Sequence, residues 1–157
     1  MNHHFGELGD VWKHLPLAEI LLNPPRHYWE THAGSASYPL TASPSRRHGA
    51  LRFLARAPGE PALQGCAYLQ ALLAQPGIYP GSPMLATQAL GQNAQYIFCD
   101  VDPESVASLR IASAGLDARV IKGDGIAAIT HAAQLGRVDP AGVLVHIDPF
   151  DPHERRT

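Results

Sequence analysis

Three short apolar runs, each ending in an acidic residue and a turn, place the strongest constraint on the fold. They have the sequences YWE, YIFCD and VLVHID, and they end at Glu30, Asp100 and Asp148. Runs of this kind are typical of parallel strands that are covered on both faces. An open α/β sheet binds its ligand in the crevice beyond the carboxyl ends of its strands. We therefore expect these acids to gather at one ligand site.

The rest of the chain predicts an alternation of helices and strands. Hydrophobic spacing and turn residues indicate helices over residues 10–22, 45–57, 62–75, 83–90, 103–115 and 125–136, and strands over residues 26–30, 95–99, 118–121 and 142–147. Asp10, Ser82 and Asp102 are suitable N-caps, and the last two precede a proline at the first helical position. The alternation favours an α/β fold with a mostly parallel, doubly wound sheet.

The size and composition of the chain restrict its class. Its 157 residues match the commonest size of a single domain, and its apolar content of 45% is that of a globular protein. No apolar run approaches the ~20 residues needed to span a bilayer, and the polar N-terminus lacks a secretory leader. Cys66 and Cys99 give no reason to expect a bridge. We expect one soluble cytoplasmic domain, 1–157, with no membrane contact.

The net charge of −2 means that a nucleic-acid partner has to be bound by a local basic surface. The densest basic stretch lies in residues 41–78, which we interpret as a helical insertion after the first strand. It contains Arg46, Arg47, Arg52 and Arg56.

The loop after the first predicted strand is rich in small residues, but Gly34 is its only glycine between Glu30 and Ser37. A pyrophosphate site needs a denser glycine motif that leads directly into a helix. The loop therefore suits a compact charged group, such as the amino acid end of a ligand. A tight turn between a strand and a helix has the same composition, so both interpretations stay open.

Three aspartates have a ligand-binding and a structural interpretation. Asp100, at the end of the second strand, can accept hydrogen bonds from ribose hydroxyls or can be a solvated strand end. Asp102 is explained as the N-cap before Pro103. Asp124 lies between two glycines and can either accept from the amine of adenine or cap the next helix.

Asp148, Pro149 and Phe150 follow the last predicted strand. The carboxylate and the proline carbonyl are two acceptors that can hold an amine and direct its lone pair at an electrophilic methyl group. Phe150 offers a face for stacking of an aromatic base. The alternative is a strand that ends in a proline turn with Phe150 in the core. The nine histidines show no metal-binding spacing, so we predict no metal site.

Several strings of residues are distinctive when taken together. They are GDVWKH at 9–14, ETHAG at 30–34, YPGSP at 79–83, GDG at 123–125 and IDP at 147–149. In these strings the chain resembles the RlmJ family, adenine-N6 methyltransferases of large-subunit ribosomal RNA, from about residue 6 to residue 149. The resemblance implies a Rossmann-like class I methyltransferase fold, S-adenosylmethionine as the cofactor and RNA as the partner.

The resemblance also implies roles for individual residues. Lys13 and His32 would hold the carboxylate end of the cofactor, Asp100 its ribose and Asp124 its adenine amine. Asp148 and the Pro149 carbonyl would hold the target amine. The full implied set is Lys13, Glu30, His32, Gly34, Ser82, Asp100 and Asp124 for the cofactor, Asp148, Pro149 and Phe150 for catalysis, and Arg46, Arg47, Arg52 and Arg56 for RNA phosphates.

The chain departs from the family at the catalytic motif. The family has Asp-Pro-Pro-Tyr, whereas residues 148–151 read DPFD and place an acid where the base would lie. The chain also ends soon after its last predicted strand, where the family continues with further strands. We therefore expect a sheet that is incomplete on that side, in a truncated relative, a fragment or a chain whose partner covers the sheet edge.

Three functions follow from these observations. The first is N6 methylation of an adenine in ribosomal RNA. The second, motivated by the altered motif and the acidic balance, is methylation of a small-molecule amine. The third is a degenerate module that keeps the fold or the cofactor without catalysis.

Overall fold

The structure, a computed structural model, describes residues 5–135 and 139–149. The strands are β1 (His27–Glu30), β2 (Ser37–Pro39), β3 (Ile78–Pro80), β4 (Gln95–Asp100), β5 (Ala118–Lys122) and β6 (Val143–His146). The helices are α1 (Leu8–Ile20), α2 (Pro44–His48), α3 (Ala50–Arg56), α4 (Ala67–Ala74), α5 (Ser82–Leu90), α6 (Pro103–Ala112) and α7 (Gly125–Gln134). Short 3₁₀ turns follow α3 and α5 and precede β6.

The main sheet confirms the predicted α/β fold. Its four strands run parallel in the order β5-β4-β1-β6, with helices as the crossovers, which is a Rossmann-like arrangement. In the register of the sheet, Glu30 at the end of β1 lies opposite Phe98 of β4 and His146 of β6. The carboxyl ends of the strands therefore meet at one edge, as the three apolar runs predicted.

One face of the sheet carries the largest part of the core. Tyr28, Tyr96 and Phe98 are buried there, and the rings of Tyr96 and Phe98 stack with their centroids 5.6 Å apart. Aromatic side chains bury more apolar area than other residues, and paired rings add a further ~0.5–1.5 kcal/mol. Helices α1, α4 and α5 pack together as one layer of the fold.

The first helix begins earlier than predicted. Helix α1 starts at Leu8 with Glu7 in the N-cap position, so the prediction that Asp10 is the cap was wrong. Asp10 instead lies in the first turn, where its carboxylate accepts hydrogen bonds from the backbone of Gly6 and Glu7. An acid one turn inside a helix satisfies free N–H groups of the preceding residues, as in a capping box.

The predicted helix over residues 45–57 is broken at Gly49 into α2 and α3. A Cβ atom on Gly49 would lie 2.4 Å from the carbonyl oxygen of Gly6 and 2.5 Å from the carbonyl carbon of Glu7. The chain bends where it packs against the start of α1. Helical spacing in the sequence cannot predict such a contact, because it joins residues that are far apart in the chain. The next predicted helix, 62–75, is also shorter, because α4 begins only at Ala67.

A second, two-stranded sheet was missed by the sequence analysis. Strands β2 and β3 pair antiparallel, with Tyr38 opposite Tyr79. Each strand has only three residues and ends in proline, so the sequence shows no alternation of apolar and polar residues that would predict this sheet. The pair lies at the two ends of the predicted insertion 41–78 and joins them.

The predicted N-caps have mixed outcomes. Asp102 caps α6 as predicted, and Asp124 caps α7, which is the structural alternative to its predicted role with adenine; their carboxylates accept from backbone N–H groups of the first turns. Ser82 is not a cap, because Gly81 holds that position and α5 begins with Ser82 itself. The Ser82 hydroxyl is thereby available for a side-chain bond. Among the described residues, no helix is both long and apolar enough to cross a membrane.

The contact at Gly49 gives a stability prediction. We expect Gly49→Ala to lower the free energy of unfolding by about 1–3 kcal/mol, because the new methyl group overlaps the backbone of residues 6–8, where α1 begins. Gly59→Ala is the matched control, since nothing lies within 4 Å of a Cβ there, and a change within about 0.5 kcal/mol is expected. Urea unfolding measures both, and an unchanged midpoint for Gly49→Ala would contradict the close packing.

Candidate functional site

A cavity of about 830 Å³ opens at the carboxyl edge of the main sheet. Its walls come from α1, the loop after β1, the start of α5, the end of β4 and the residues after β6. The structure brings seven predicted site residues into this lining: Lys13, His32, Gly34, Ser82, Asp100, Asp148 and Pro149.

Glu30 lies outside the cavity lining, although it was predicted with the cofactor ligands. Its side chain is fully buried beneath the cavity. The Ser82 hydroxyl and the His146 Nδ1–H donate to Glu30 Oε1, the latter over 2.8 Å. The Tyr28 hydroxyl donates to Oε2 over 3.2 Å. Glu30 therefore joins α5, β6 and β1 with one carboxylate.

Glu30 and His146 both have pKa values above the ordinary ones for their residue types. Burial raises the pKa of Glu30, against the opposing effect of its hydrogen bonds from His146, Ser82 and Tyr28. Burial would lower the pKa of His146, but the hydrogen bond and charge of Glu30 outweigh it and raise that pKa. Both shifts favour the protonated form of each group, so the pair holds a proton more firmly than an exposed histidine does.

Asp100 connects the loop after β1 to the end of β4. Its Oδ2 accepts from the Gly34 N–H over 2.7 Å, and its Oδ1 accepts from the Asp102 N–H over 2.8 Å. A carboxylate has about four acceptor positions, so two hydrogen bonds leave room for ligand hydroxyls. Gly34 adopts a φ of +63°, which favours glycine and supports the predicted tight loop.

Lys13 links the two ends of the described chain within the cavity. Its Nζ donates to Asp148 Oδ2 over 2.7 Å and lies 3.3 Å from Asp10 Oδ1. Burial alone would lower the pKa of Lys13, but the hydrogen bonds and charges of Asp148 and Asp10 raise it. Lys13 therefore stays an ammonium with one donor left for a ligand.

Two histidines line the cavity in different settings. The Thr31 hydroxyl is 2.7 Å from His32 Nδ1 and fixes the orientation of that ring. His14 is buried, and its Nδ1 lies 2.8 Å from the Tyr79 hydroxyl, to which Tyr68 donates over 3.3 Å. Tyr79 can then donate to His14, which suits a neutral imidazole. Burial, with the charges of His146 and Lys13, lowers the pKa of His14 to about 3.

Sequence reasoning missed an aromatic wall. Phe5, Tyr38 and Tyr79 line the cavity, and Phe5 stacks on Tyr38 with their centroids 4.5 Å apart. It also missed His14, although helical spacing places that residue with Leu17 and Ala18 on the buried side of α1. No local pattern indicates that Phe5 and Tyr38 meet.

The cavity lining is strongly acidic. Lys13 contributes one ammonium group to the lining, and five acidic residues contribute carboxylates: Glu7, Asp10, Asp100, Asp102 and Asp148. Such a lining favours a ligand that carries positive charge. Across residues 5–135 and 139–149, no three His, Cys, Asp or Glu side chains are arranged to hold a metal ion.

The remaining predicted site residues lie elsewhere. Asp124 caps α7, where its carboxylate accepts from the Ala127 N–H over 3.1 Å, and it is not part of the cavity lining. The Arg46 guanidinium lies 3.9 Å from the centre of the Phe5 ring and donates to backbone carbonyls of Phe5 and Thr41. Arg47, Arg52 and Arg56 are exposed on α2 and α3. Phe150 lies outside the described residues.

Comparison with known proteins supports the fold. The chain is similar to the crystal structure of protein LPL1258 from Legionella pneumophila str. Philadelphia 1, described under the family name DUF519, with a TM-score of 0.79 and 24% identity. The match covers 97% of this chain and 59% of that one, so the chain spans about three fifths of that protein. No known family profile and no curated protein matches the sequence.

The buried His14 predicts a dependence of stability on pH. Because its folded pKa is below the ordinary 6.5, its stabilising contribution is complete above pH 6.5 and is lost as the pH falls towards about 3. We expect the free energy of unfolding of the wild type, minus that of His14→Gln, to fall by about 1.4 kcal/mol per pH unit below pH 6.5. Urea unfolding from pH 7 to 5 measures this difference, in which the titration of His146 cancels. A flat difference would show that His14 takes up a proton in the folded state.

Proposed function

We propose that the protein is an S-adenosylmethionine-dependent methyltransferase that modifies the N6 amine of an adenine in ribosomal RNA. The observation that carries the proposal is the shared cavity, in which seven residues implied by the RlmJ resemblance line one space at the carboxyl edge of a Rossmann-like sheet. We further propose that the protein acts in the cytoplasm on large-subunit RNA.

The chemistry of the lining fits this cofactor. Its sulfonium and amino groups are positive, in keeping with the acidic walls, and Lys13 has one donor left for its carboxylate. Asp100 offers acceptors for ribose hydroxyls, and the loop at Gly34 permits close approach of the amino acid end. When bound, the cofactor supplies an electrophilic methyl group.

The chain's own residues would position the acceptor amine. Lys13 occupies Oδ2 of Asp148, which leaves Oδ1 and the Pro149 carbonyl as acceptors for the two N–H bonds of the amine. Hydrogen bonds to both hydrogens direct the nitrogen lone pair away from the protein and towards the cofactor side of the cavity. Orientation of this kind supplies a large part of a rate enhancement, and it needs no general base at the outset.

A small-molecule amine is the second candidate acceptor. The acidic lining favours it, because five carboxylates repel the phosphates of RNA from the cavity itself. RNA contact then requires a basic surface outside the cavity, whereas a small amine does not.

A methyl-transfer assay tests the proposed role of Asp148. With radiolabelled cofactor and large-subunit ribosomal RNA, Asp148→Asn should lower turnover about 100-fold or more, because the one amide oxygen stays with Lys13 and the amide NH2 then faces the acceptor amine and misplaces it. Asp117→Asn is the control, since Asp117 is exposed, is not part of the cavity lining, and accepts through its carboxylate from Gln95 over 2.6 Å. Wild-type turnover in Asp148→Asn would rule out the proposed orientation of the amine.

Calorimetric titration with S-adenosylhomocysteine separates the alternatives. We expect binding to the wild type and at least a ten-fold loss in Asp100→Ala, because the ribose loses its acceptor and Gly34 loses its anchor. Binding without turnover on any RNA indicates the non-catalytic module. Turnover on a small amine that is insensitive to salt indicates the second candidate, since RNA binding weakens with salt. Absence of binding contradicts the proposed cofactor.

A further inference from the structure

The outer side of α1 carries an exposed apolar ridge. Leu8, Trp12, Pro16 and Ile20 are four residues apart, so they follow one row along the helix, and all four are exposed. Trp12 is the extreme case, with 75% of its surface exposed, whereas the other tryptophan, Trp29, is 5% exposed. A large aromatic side chain in water is unusual and indicates an interaction surface.

The helical wheel places Trp12 at the rim of the cavity. At 100° per residue, Gly9 and Lys13 lie about 60° and 100° to one side of Trp12, and both line the cavity. On the other side, Leu8 and Leu15 lie about 40° and 60° away. Helix α3 packs against the same end of α1, because the Ala50 N–H donates to the Gly6 carbonyl over 2.9 Å, and a Cβ on Gly49 would lie 2.7 Å from the Leu8 nitrogen. Trp12 therefore lies next to cavity-lining residues, on the half of α1 that α3 contacts.

The neighbouring α2–α3 segment is basic. Residues 41–78 contain four arginines and one acid, Glu60, in a chain whose net charge is −2. Arg46 is held against Phe5, but Arg47, Arg52 and Arg56 are exposed, and none of the three forms a salt bridge with another described residue. This charge is opposite to that of the cavity lining.

We propose that this surface, formed by Trp12 with Arg47, Arg52 and Arg56, binds a single-stranded RNA segment next to the target adenine, with a base stacked on Trp12. The inference rests on the proposed function and names the partner of that site. Indole rings stack with any base, and guanidinium groups bind phosphates in a planar, two-pronged geometry. The acidic lining holds the phosphates outside the cavity while one base enters it. A protein partner or a second copy on the apolar ridge is the competing occupant.

Binding of a fluorescein-labelled, single-stranded RNA of about nine nucleotides with a central adenine tests the proposal. The protein is saturated with S-adenosylhomocysteine, and affinity is read from fluorescence anisotropy. We expect Trp12→Ala to weaken binding about ten-fold or more and Trp12→Phe, which keeps a ring, to stay close to the wild type. Arg52→Gln should weaken binding and lower the salt slope by about 0.7. The matched controls on α6 are Ile111→Ala and Arg110→Gln, an exposed apolar residue and an exposed cation.

Intrinsic fluorescence gives a second readout that does not depend on affinity. RNA should quench the emission of the wild type, through Trp12, and should leave the emission of Trp12→Phe, which comes from buried Trp29, unchanged. Wild-type affinity in Trp12→Ala, with S-adenosylhomocysteine still bound, overturns this inference alone. RNA-independent self-association that Trp12→Ala abolishes overturns it in favour of a second copy. Failure to bind S-adenosylhomocysteine overturns the proposed function instead.

Discussion

The buried carboxylate of Glu30 is the interaction on which the arrangement of the cavity depends. Its oxygens accept hydrogen bonds from Ser82 at the start of α5, from His146 of β6 and from Tyr28 of its own strand. A carboxylate out of water is tolerated only when hydrogen bonds and charge compensate it, so loss of a partner leaves a buried charge and costs several kcal/mol. These hydrogen bonds hold α5, β6 and β1 in one relative position. Ser82 at the start of α5 and the residues that follow β6 line the cavity as a result.

Further polar links of the same kind surround the ligand space. Asp100 ties the Gly34 loop to the end of β4, and Lys13 ties α1 to Asp148. These groups present acceptors and one ammonium in an otherwise acidic, aromatic-walled space, which suits a ligand with both a carboxylate and positive charge. The cavity is acidic and the α2–α3 surface is basic. In the proposed complex, one RNA base therefore enters the cavity while the phosphates stay outside, on the basic surface.

Local features of the fold were readable from the sequence, and long-range ones were not. The strand–helix alternation and the cap at Asp102 depend on neighbouring residues, whereas at Asp124 the same local pattern left capping and ligand binding open. The Glu30–His146 bond joins residues 116 positions apart, and the Lys13–Asp148 bond joins residues 135 apart. Sequence patterns therefore placed Asp100 and Asp148 at the carboxyl edge, but they could not show that Glu30 lies beneath the cavity.

Histidine resonances provide the most direct measurement of whether this cavity is the ligand site. His14 and His32 line it, whereas His131 of α7 lines a separate groove and His48 is exposed on α2. In an NMR titration of histidine-labelled protein with S-adenosylhomocysteine, we expect the imidazole signals of His14 and His32 to shift to a one-to-one endpoint while those of His131 and His48 stay unchanged. Unshifted His14 and His32 signals, or shifts confined to His131 or His48, would contradict a ligand site at the carboxyl edge of the sheet.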